Sequence, residues 1–147
     1  MKDIKEKKGL AFSRRFTDGK TPPMDMVEWE QRVAAITAED GTDVFRQDDV
    51  EFPVFYSQSA TNVIASKYFR GTLGTANREN SVRDMILRVT DTLAGWGRKN
   101  GYFSDDESAG AFHDELTWLV VNQYGTFNSP VWFNVGVEKK PQCSACF

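Results

Sequence analysis

The sequence has little of what metal centres, disulfide-stapled domains and membrane proteins require. It contains one histidine and two cysteines among 147 residues, so a cluster of histidine ligands and a structural disulfide framework are both excluded. No run approaches the roughly 18 apolar residues of a membrane helix, and no apolar signal core follows the N-terminus. We therefore expect a cytoplasmic protein without membrane contact.

Charge is distributed unevenly along the chain. Residues 1–20 hold seven Lys and Arg against three Asp and Glu, although the whole chain has a net charge of −3. Residues 1–28 also contain Gly19 and Pro22-Pro23 and show little apolar periodicity, which indicates an extended arm that becomes fixed only where it lies on another element. No stacking or groove-reading motif accompanies the basic residues, so we predict no direct nucleic-acid binding.

Residues 29–56 have the pattern of a β-hairpin followed by an extended segment. Two short β-prone runs, 33–37 and 42–46, flank Asp40-Gly41, a turn sequence that tolerates positive φ. Pro53 lacks a backbone donor and is therefore suited only to the edge of a sheet. The sequence predicts a small two-stranded ribbon.

Residues 57–126 are predicted to be helical. Apolar residues recur at three- and four-residue steps over 57–70, 81–98 and 105–124. The last two segments are joined by a short loop, so they should pack antiparallel with their apolar stripes together. This region should form the helical N-terminal domain.

Two polar features accompany the predicted helices. Ser104 and Glu107 have the spacing of a capping box at the start of the third helix. His113 lies beside the apolar stripe of that helix without a second histidine nearby, so it should be a surface or packing side chain and not a metal ligand.

Residues 127–147 combine an apolar run with both cysteines. Val131–Val135 is nearly continuous in apolar character, as expected of a strand covered on both faces of a parallel sheet. Cys143 and Cys146 form a Cys-x-x-Cys, which could be a dithiol redox pair, half of a zinc site or two buried thiols. Spacing alone leaves these three possibilities open.

Ser129 precedes Pro130 at the start of the apolar run. Proline pushes the preceding residue into extended geometry, which could leave the serine hydroxyl and nearby N–H groups free to hold a phosphate. The same dipeptide is also compatible with an ordinary strand entry.

A wider pattern extends along the chain. Its segments are Ser13–Thr17, Val27–Glu30, Ala60–Gly71, Gly101–Phe103, Phe127–Gly136 and Pro141–Phe147. In this order they resemble the catalytic subunit of adenosylcobalamin-dependent (class II) ribonucleotide reductase. The last two segments are specific to that family, the others support them, and together the resemblance covers most of the chain.

The resemblance implies a fold and an activity. The family reduces ribonucleotides to 2′-deoxyribonucleotides inside a ten-stranded α/β barrel, using a cysteine thiyl radical produced with adenosylcobalamin and a separate pair of redox cysteines. Ribonucleoside diphosphates as substrates, a thioredoxin-type reductant and a homodimer follow as further expectations. We therefore expect an α+β fold, a mainly helical region with a small β-hairpin, that leads into the first barrel strand within 127–147.

The resemblance also implies roles for individual residues. Cys146, in the element Ser144-Ala145-Cys146, corresponds to one member of the redox pair, whose partner is a distant cysteine on another barrel strand and not Cys143. Ser129 corresponds to the Ser/Thr-Pro position that helps to bind the substrate diphosphate, and Ser144 and Ala145 are expected beside the substrate.

In this family the radical cysteine, the second redox cysteine and the cobalamin contacts lie further along the chain. We therefore expect the 147 residues to be the N-terminal part of a reductase, inactive without the remainder of the barrel. Two alternatives stay open: a binding or regulatory module derived from the same fold, and a small dithiol oxidoreductase that uses Cys143 and Cys146.

Overall fold

The computed structural model describes residues 9–145 as an α+β arrangement of one hairpin and four α-helices. A short 3-10 helix, Pro23–Met26, precedes the elements β1 (Trp29–Thr37), β2 (Asp43–Pro53), α1 (Gln58–Lys67), α2 (Val82–Lys99), α3 (Asp106–Val121) and α4 (Ser129–Asn134). Within the described residues, no helix is both long enough and apolar enough to cross a membrane.

The predicted ribbon is confirmed. β1 and β2 pair antiparallel, with Trp29 opposite Pro53 at one end and Thr37 opposite Asp43 at the other. Gly41 in the connecting loop has a φ of +86°, a conformation that glycine adopts without steric cost. The chain therefore reverses where the sequence places its turn, and Pro53 falls at the end of a strand, where its missing donor is tolerated.

The three predicted helices are also confirmed, as α1, α2 and α3. Helices α2 and α3 pack together, and the Thr117 hydroxyl donates to the Thr90 hydroxyl over 3.0 Å inside their interface. His113 lies between Asp91 and Asp114, with ring nitrogen–carboxylate distances of 2.7 and 3.1 Å. The histidine is thus satisfied by surface carboxylates on both sides.

The predicted capping box is wrong. The N-cap of α3 is Asp105, whose Oδ1 accepts from the backbone N–H of Ser108 over 2.7 Å. Ser104 instead lies one residue before the cap, and its hydroxyl contacts the Asp105 and Ser108 side chains. The positive end of the helix dipole also stabilises a carboxylate at the N-cap, which makes Asp105 a good cap.

The predicted barrel strand over Val131–Val135 is wrong as well, because Ser129–Asn134 forms the short helix α4. The Asn128 side chain caps its N-terminus, and Pro130 occupies the first turn, where its missing N–H costs nothing. Trp132 is the buried residue of α4, and Val135, the C-cap that follows the helix, is buried as well. The sequence also predicts a strand or loop over residues 142–147, and the described part of that segment, 142–145, is a loop.

The core lies between the hairpin, α1, α2 and the closing segment, by which we mean residues 127–145. Its buried apolar side chains include Val50, Phe52, Ala65, Phe69, Val82, Met85, Ile86, Val89, Val121, Trp132 and Val135. The rings of Phe52 and Phe69 stack with 5.7 Å between their centroids. Because Trp132 and Val135 belong to this core, the closing segment is an integral part of the fold.

The N-terminal arm is held against α3 over the part that the structure describes. The ring of Phe16 stacks on Trp118 with 4.3 Å between the centroids. The Glu115 carboxylate accepts hydrogen bonds from the N–H groups of Phe16 and Thr17 and from the Thr17 hydroxyl. Burial raises the pKa of Glu115, but the hydrogen bonds from Thr17, Arg15 and Phe16 outweigh burial and leave the pKa lowered. Residues 1–8, which carry four lysines of the predicted arm, lie outside the described residues.

Candidate functional site

The closing segment contains every predicted site residue that the structure describes. Ser129 is the first residue of α4 and is partly buried. Cys143, Ser144 and Ala145 follow in the loop after α4 and are exposed, and Cys143 has a free thiol whose Sγ lies 3.9 Å from the Pro141 carbonyl oxygen. Cys146 lies outside the described residues.

Two asparagines tie the cysteine-bearing loop to α4. The Asn128 side chain donates from Nδ2 to the carbonyl oxygen of Cys143 over 3.0 Å. The Asn134 side chain donates in the same way to the carbonyl of Gln142 over 2.7 Å. These bonds come from the two ends of α4. The helix that begins with Ser129 therefore also holds the loop in place.

A largely covered ion pair anchors the C-terminal end of α4. Nε of Arg88, on α2, lies 2.7 Å from a carboxylate oxygen of Glu79, and both side chains are 12% exposed. Nη1 of Arg88 also donates to the carbonyl oxygens of Trp132 and Val135, each over 3.0 Å. The last carbonyls of a helix have no partner within the helix, so the guanidinium satisfies groups that would otherwise lose hydrogen bonds on burial.

A second arginine completes this anchor. The backbone N–H of Arg70 donates to the other carboxylate oxygen of Glu79 over 2.7 Å, and the Arg70 guanidinium donates to the carbonyl of Phe133. The guanidinium carbon lies 5.8 Å from the centre of the Phe133 ring, within the range of a cation–π contact. We call Arg70, Glu79 and Arg88 the arginine clamp, because together they fix α4 to α1 and α2.

Gly136 lies where the chain leaves α4 and passes over the clamp. Its φ is +77°, and a Cβ built at this position would lie 2.5 Å from Cγ of Arg88 and 2.6 Å from the Arg88 carbonyl oxygen. Only glycine therefore fits both the backbone conformation and the available space. Gly74 has a similar φ of +80° but has no atom within 4 Å of the position that a Cβ would occupy.

We predict that Gly136→Ala lowers the free energy of unfolding by about 3 kcal/mol, since it adds overpacking to backbone strain. Gly74→Ala should cost only about 1 kcal/mol, the strain alone. Denaturant unfolding of the two variants measures the difference. Equal losses would show that the contact between Gly136 and Arg88 has no energetic weight.

Tyr68, at the C-terminal end of α1, contacts α4 at two points. Its hydroxyl oxygen lies 2.9 Å from Oγ of Ser129. Its ring stacks on Phe133, with 5.2 Å between centroids and 16° between the planes. The first residue of α4 and a residue of its last turn are therefore both held by one tyrosine.

Tyr68 also lines a cavity of about 400 Å³ between α1, α2, the end of α3 and the closing segment. The Tyr56 hydroxyl donates to the Val121 carbonyl over 3.0 Å, and burial raises the pKa of Tyr56 to about 12. The walls of the cavity are mostly apolar: Ile64, Val82, Met85, Ile86, Val120, Phe127 and Trp132.

A metal ion or a corrinoid would need suitable side chains, either grouped as metal ligands or in the lining of the cavity. Among residues 9–145, no three His, Cys, Asp or Glu side chains are grouped as metal ligands would be. The cavity lining contains no histidine that could ligate cobalt and no basic side chain that could bind a phosphate of the cofactor.

Reading the sequence alone did not identify the arginine clamp or Tyr68. Arg88 stands among the polar residues of α2, and nothing in its local spacing indicates that it is 88% covered in the fold. Glu79 and Arg70 lie in loops whose partners are nine to more than sixty residues away. Asn128 was not identified either, although the sequence carries a signal for it: the order Asn-Ser-Pro is typical of a capped helix start.

Comparison with known proteins agrees with the family resemblance of the sequence. Residues 30–123 match the model of a family described as class II vitamin B12-dependent ribonucleotide reductase. The chain is similar to the vitamin B12-dependent ribonucleotide reductases of Rhodopirellula baltica (48% identity, 90% of this chain), Streptomyces coelicolor (44%, 99%) and Agrobacterium fabrum (33%, 88%). It spans 13 to 15% of the length of these relatives.

Proposed function

Because the chain belongs to the class II vitamin B12-dependent ribonucleotide reductases, we propose that it supplies one redox cysteine and part of the substrate site of such an enzyme. The observation that carries the proposal is that α4 both contains Ser129 and holds the cysteine-bearing loop. Asn128 and Asn134 bond the loop before Cys146 to α4, which also carries Ser129. A phosphate-binding hydroxyl and a redox thiol need this kind of fixed relation if both are to act on one nucleotide.

In the proposed enzyme, Ser129 binds the substrate. Its hydroxyl donates to a phosphate oxygen of a ribonucleoside diphosphate, and its partly buried position limits competition from water. Ser144 and Ala145, which directly precede Cys146, lie beside the same substrate. The arginine clamp contributes by holding α4 still, since each of its three residues bonds to another of them or to a carbonyl of α4.

Cys146 supplies reducing equivalents. Its thiol and a second cysteine thiol of the complete barrel together give two electrons and two protons to the nucleotide. The 2′ carbon–oxygen bond breaks, the 2′ hydroxyl leaves as water, and the 2′ carbon gains a hydrogen. The two sulfurs form a disulfide, which a thioredoxin-type dithiol reduces again by thiol–disulfide exchange.

Cobalamin, in its adenosyl form, supplies the radical chemistry that makes the 2′ carbon reactive, and we place its contacts outside residues 9–145. We propose that the rest of the reductase completes a ten-stranded α/β barrel around the closing segment. The complete enzyme is cytoplasmic and homodimeric, and the 147 residues alone are inactive.

An assay with and without the cofactor tests the proposal. A reductase that contains this chain together with the rest of the barrel should convert a ribonucleoside diphosphate to its 2′-deoxy form only when adenosylcobalamin and a dithiol are present. The 147-residue chain should give no product under the same conditions. Product from the longer protein without cobalamin, or from the short chain alone, would contradict the proposal.

A further inference from the structure

We propose that Tyr68 is a positioning residue that turns the hydroxyl proton of Ser129 toward the phosphate of the substrate. The inference rests on the proposed function, because it takes Ser129 to be the phosphate-binding hydroxyl. It adds a residue outside the closing segment, at the C-terminal end of α1, to the substrate site.

The two hydroxyls are in hydrogen-bond contact, and either of them could be the donor. Tyr68 and Ser129 are both partly buried, and their oxygens lie 2.9 Å apart. A hydroxyl has one proton to donate and lone pairs with which to accept. If Ser129 donated to Tyr68, it would have no proton left for an anion. When Tyr68 donates, the Ser129 oxygen accepts and its own proton is free for the phosphate.

Phenol chemistry favours this direction. A phenol is a stronger hydrogen-bond donor than an aliphatic alcohol, so Tyr68 is the better donor of the two. An anionic oxygen bound to the Ser129 proton increases the negative charge on the serine oxygen. The bond from Tyr68 to Ser129 then becomes stronger, because successive hydrogen bonds in a chain polarise one another.

The fold holds the tyrosine in the position that this role requires. Its backbone N–H donates to the carbonyl of Ile64 at the end of α1, which fixes the start of the side chain. Its ring is stacked on Phe133, whose carbonyl is bound by Arg70. The hydroxyl therefore has little freedom to turn away from Ser129, and Tyr68 links the end of α1 to the substrate site.

Steady-state kinetics of the complete reductase with four variants test the inference. Tyr68→Phe keeps the stacked ring and removes only the donor, so the KM for the ribonucleoside diphosphate should rise about fivefold. The kcat should stay within about twofold, because the phosphate is bound equally in the ground state and the transition state. Tyr102→Phe, which alters an exposed tyrosine (60%), is the matched control and should leave both constants unchanged.

A double variant separates positioning from general support of the fold. Ser129→Ala should raise the KM about tenfold, and adding Tyr68→Phe to it should raise the KM no further, since the tyrosine acts only through the serine. An equal increase in both backgrounds would overturn the inference, as would an unchanged KM in Tyr68→Phe while Ser129→Ala is impaired. An unchanged KM in Ser129→Ala would overturn the proposed role of Ser129 itself, and the inference with it.

Discussion

Replacement of Arg88 by methionine is expected to lower the free energy of unfolding by about 3 kcal/mol. Methionine has a similar length and keeps part of the packing, so the loss comes from the charge and its hydrogen bonds. The substitution leaves the Glu79 carboxylate without its ion-pair partner in a site where that side chain is 12% exposed. It also removes the donor to the carbonyls of Trp132 and Val135.

The matched control lies on the same helix. Arg98 is near the C-terminal end of α2 and is exposed, so Arg98→Met should change the unfolding free energy by no more than about 0.5 kcal/mol. Denaturant titrations of both variants measure the difference. Hydrogen exchange should also become faster over 129–137 in Arg88→Met and stay unchanged in Arg98→Met. Similar small effects of both substitutions would show that the clamp does not anchor α4.

The second large effect is expected at Cys146. In the complete reductase, Cys146→Ser should lower multiple-turnover activity by at least about 100-fold, because an alcohol cannot be oxidised to a disulfide. Serine is close to cysteine in size, so the KM should change little. Cys143→Ser is the control within the same sequence motif, and it should retain most of the activity, since Cys143 has no assigned role.

The same pair of variants decides between the proposed reductase and a small Cys-x-x-Cys oxidoreductase. In such an oxidoreductase one cysteine attacks a disulfide and the other resolves the mixed disulfide, so either substitution would stop the reaction. Loss of ribonucleotide reduction in both variants would therefore give Cys143 a redox role that the proposal does not assign to it.

The elements with a regular local pattern could be predicted from the sequence. The Asp40-Gly41 turn and the three- and four-residue apolar spacing of α1, α2 and α3 depend on neighbours in the chain, and the fold keeps them all. The prediction from local pattern was wrong at α4. There, five consecutive residues with four apolar side chains fit a buried strand as well as a short helix. The deciding signal was Asn128 before Ser-Pro, a cap and a first-turn proline.

The parts of the site that depend on distant residues could not be predicted in this way. Glu79 bonds to both Arg70 and Arg88. The two arginines hold α4 by donating to backbone carbonyls at its C-terminal end, which lie 44 to 63 residues further along the chain. Backbone carbonyls carry no sequence signature, so no residue pattern marks them as partners. Tyr68 meets Ser129 across 61 residues for the same reason. The resemblance to a family suggested the cysteine and the serine as site residues, and the fold shows which residues contact Ser129 and the loop that contains Cys143.

Mapping the oxidation of the two cysteines after one round of turnover tests directly whether Cys146 is the redox thiol. The complete reductase is first reduced, freed of external dithiol, and mixed with ribonucleoside diphosphate and adenosylcobalamin. Its remaining thiols are then alkylated and quantified by mass spectrometry. We expect Cys146 to lose its reactivity toward the alkylating reagent in proportion to the deoxynucleotide formed, while Cys143 is still alkylated. Product formation with Cys146 still fully alkylated, or with Cys143 protected in its place, would contradict this expectation.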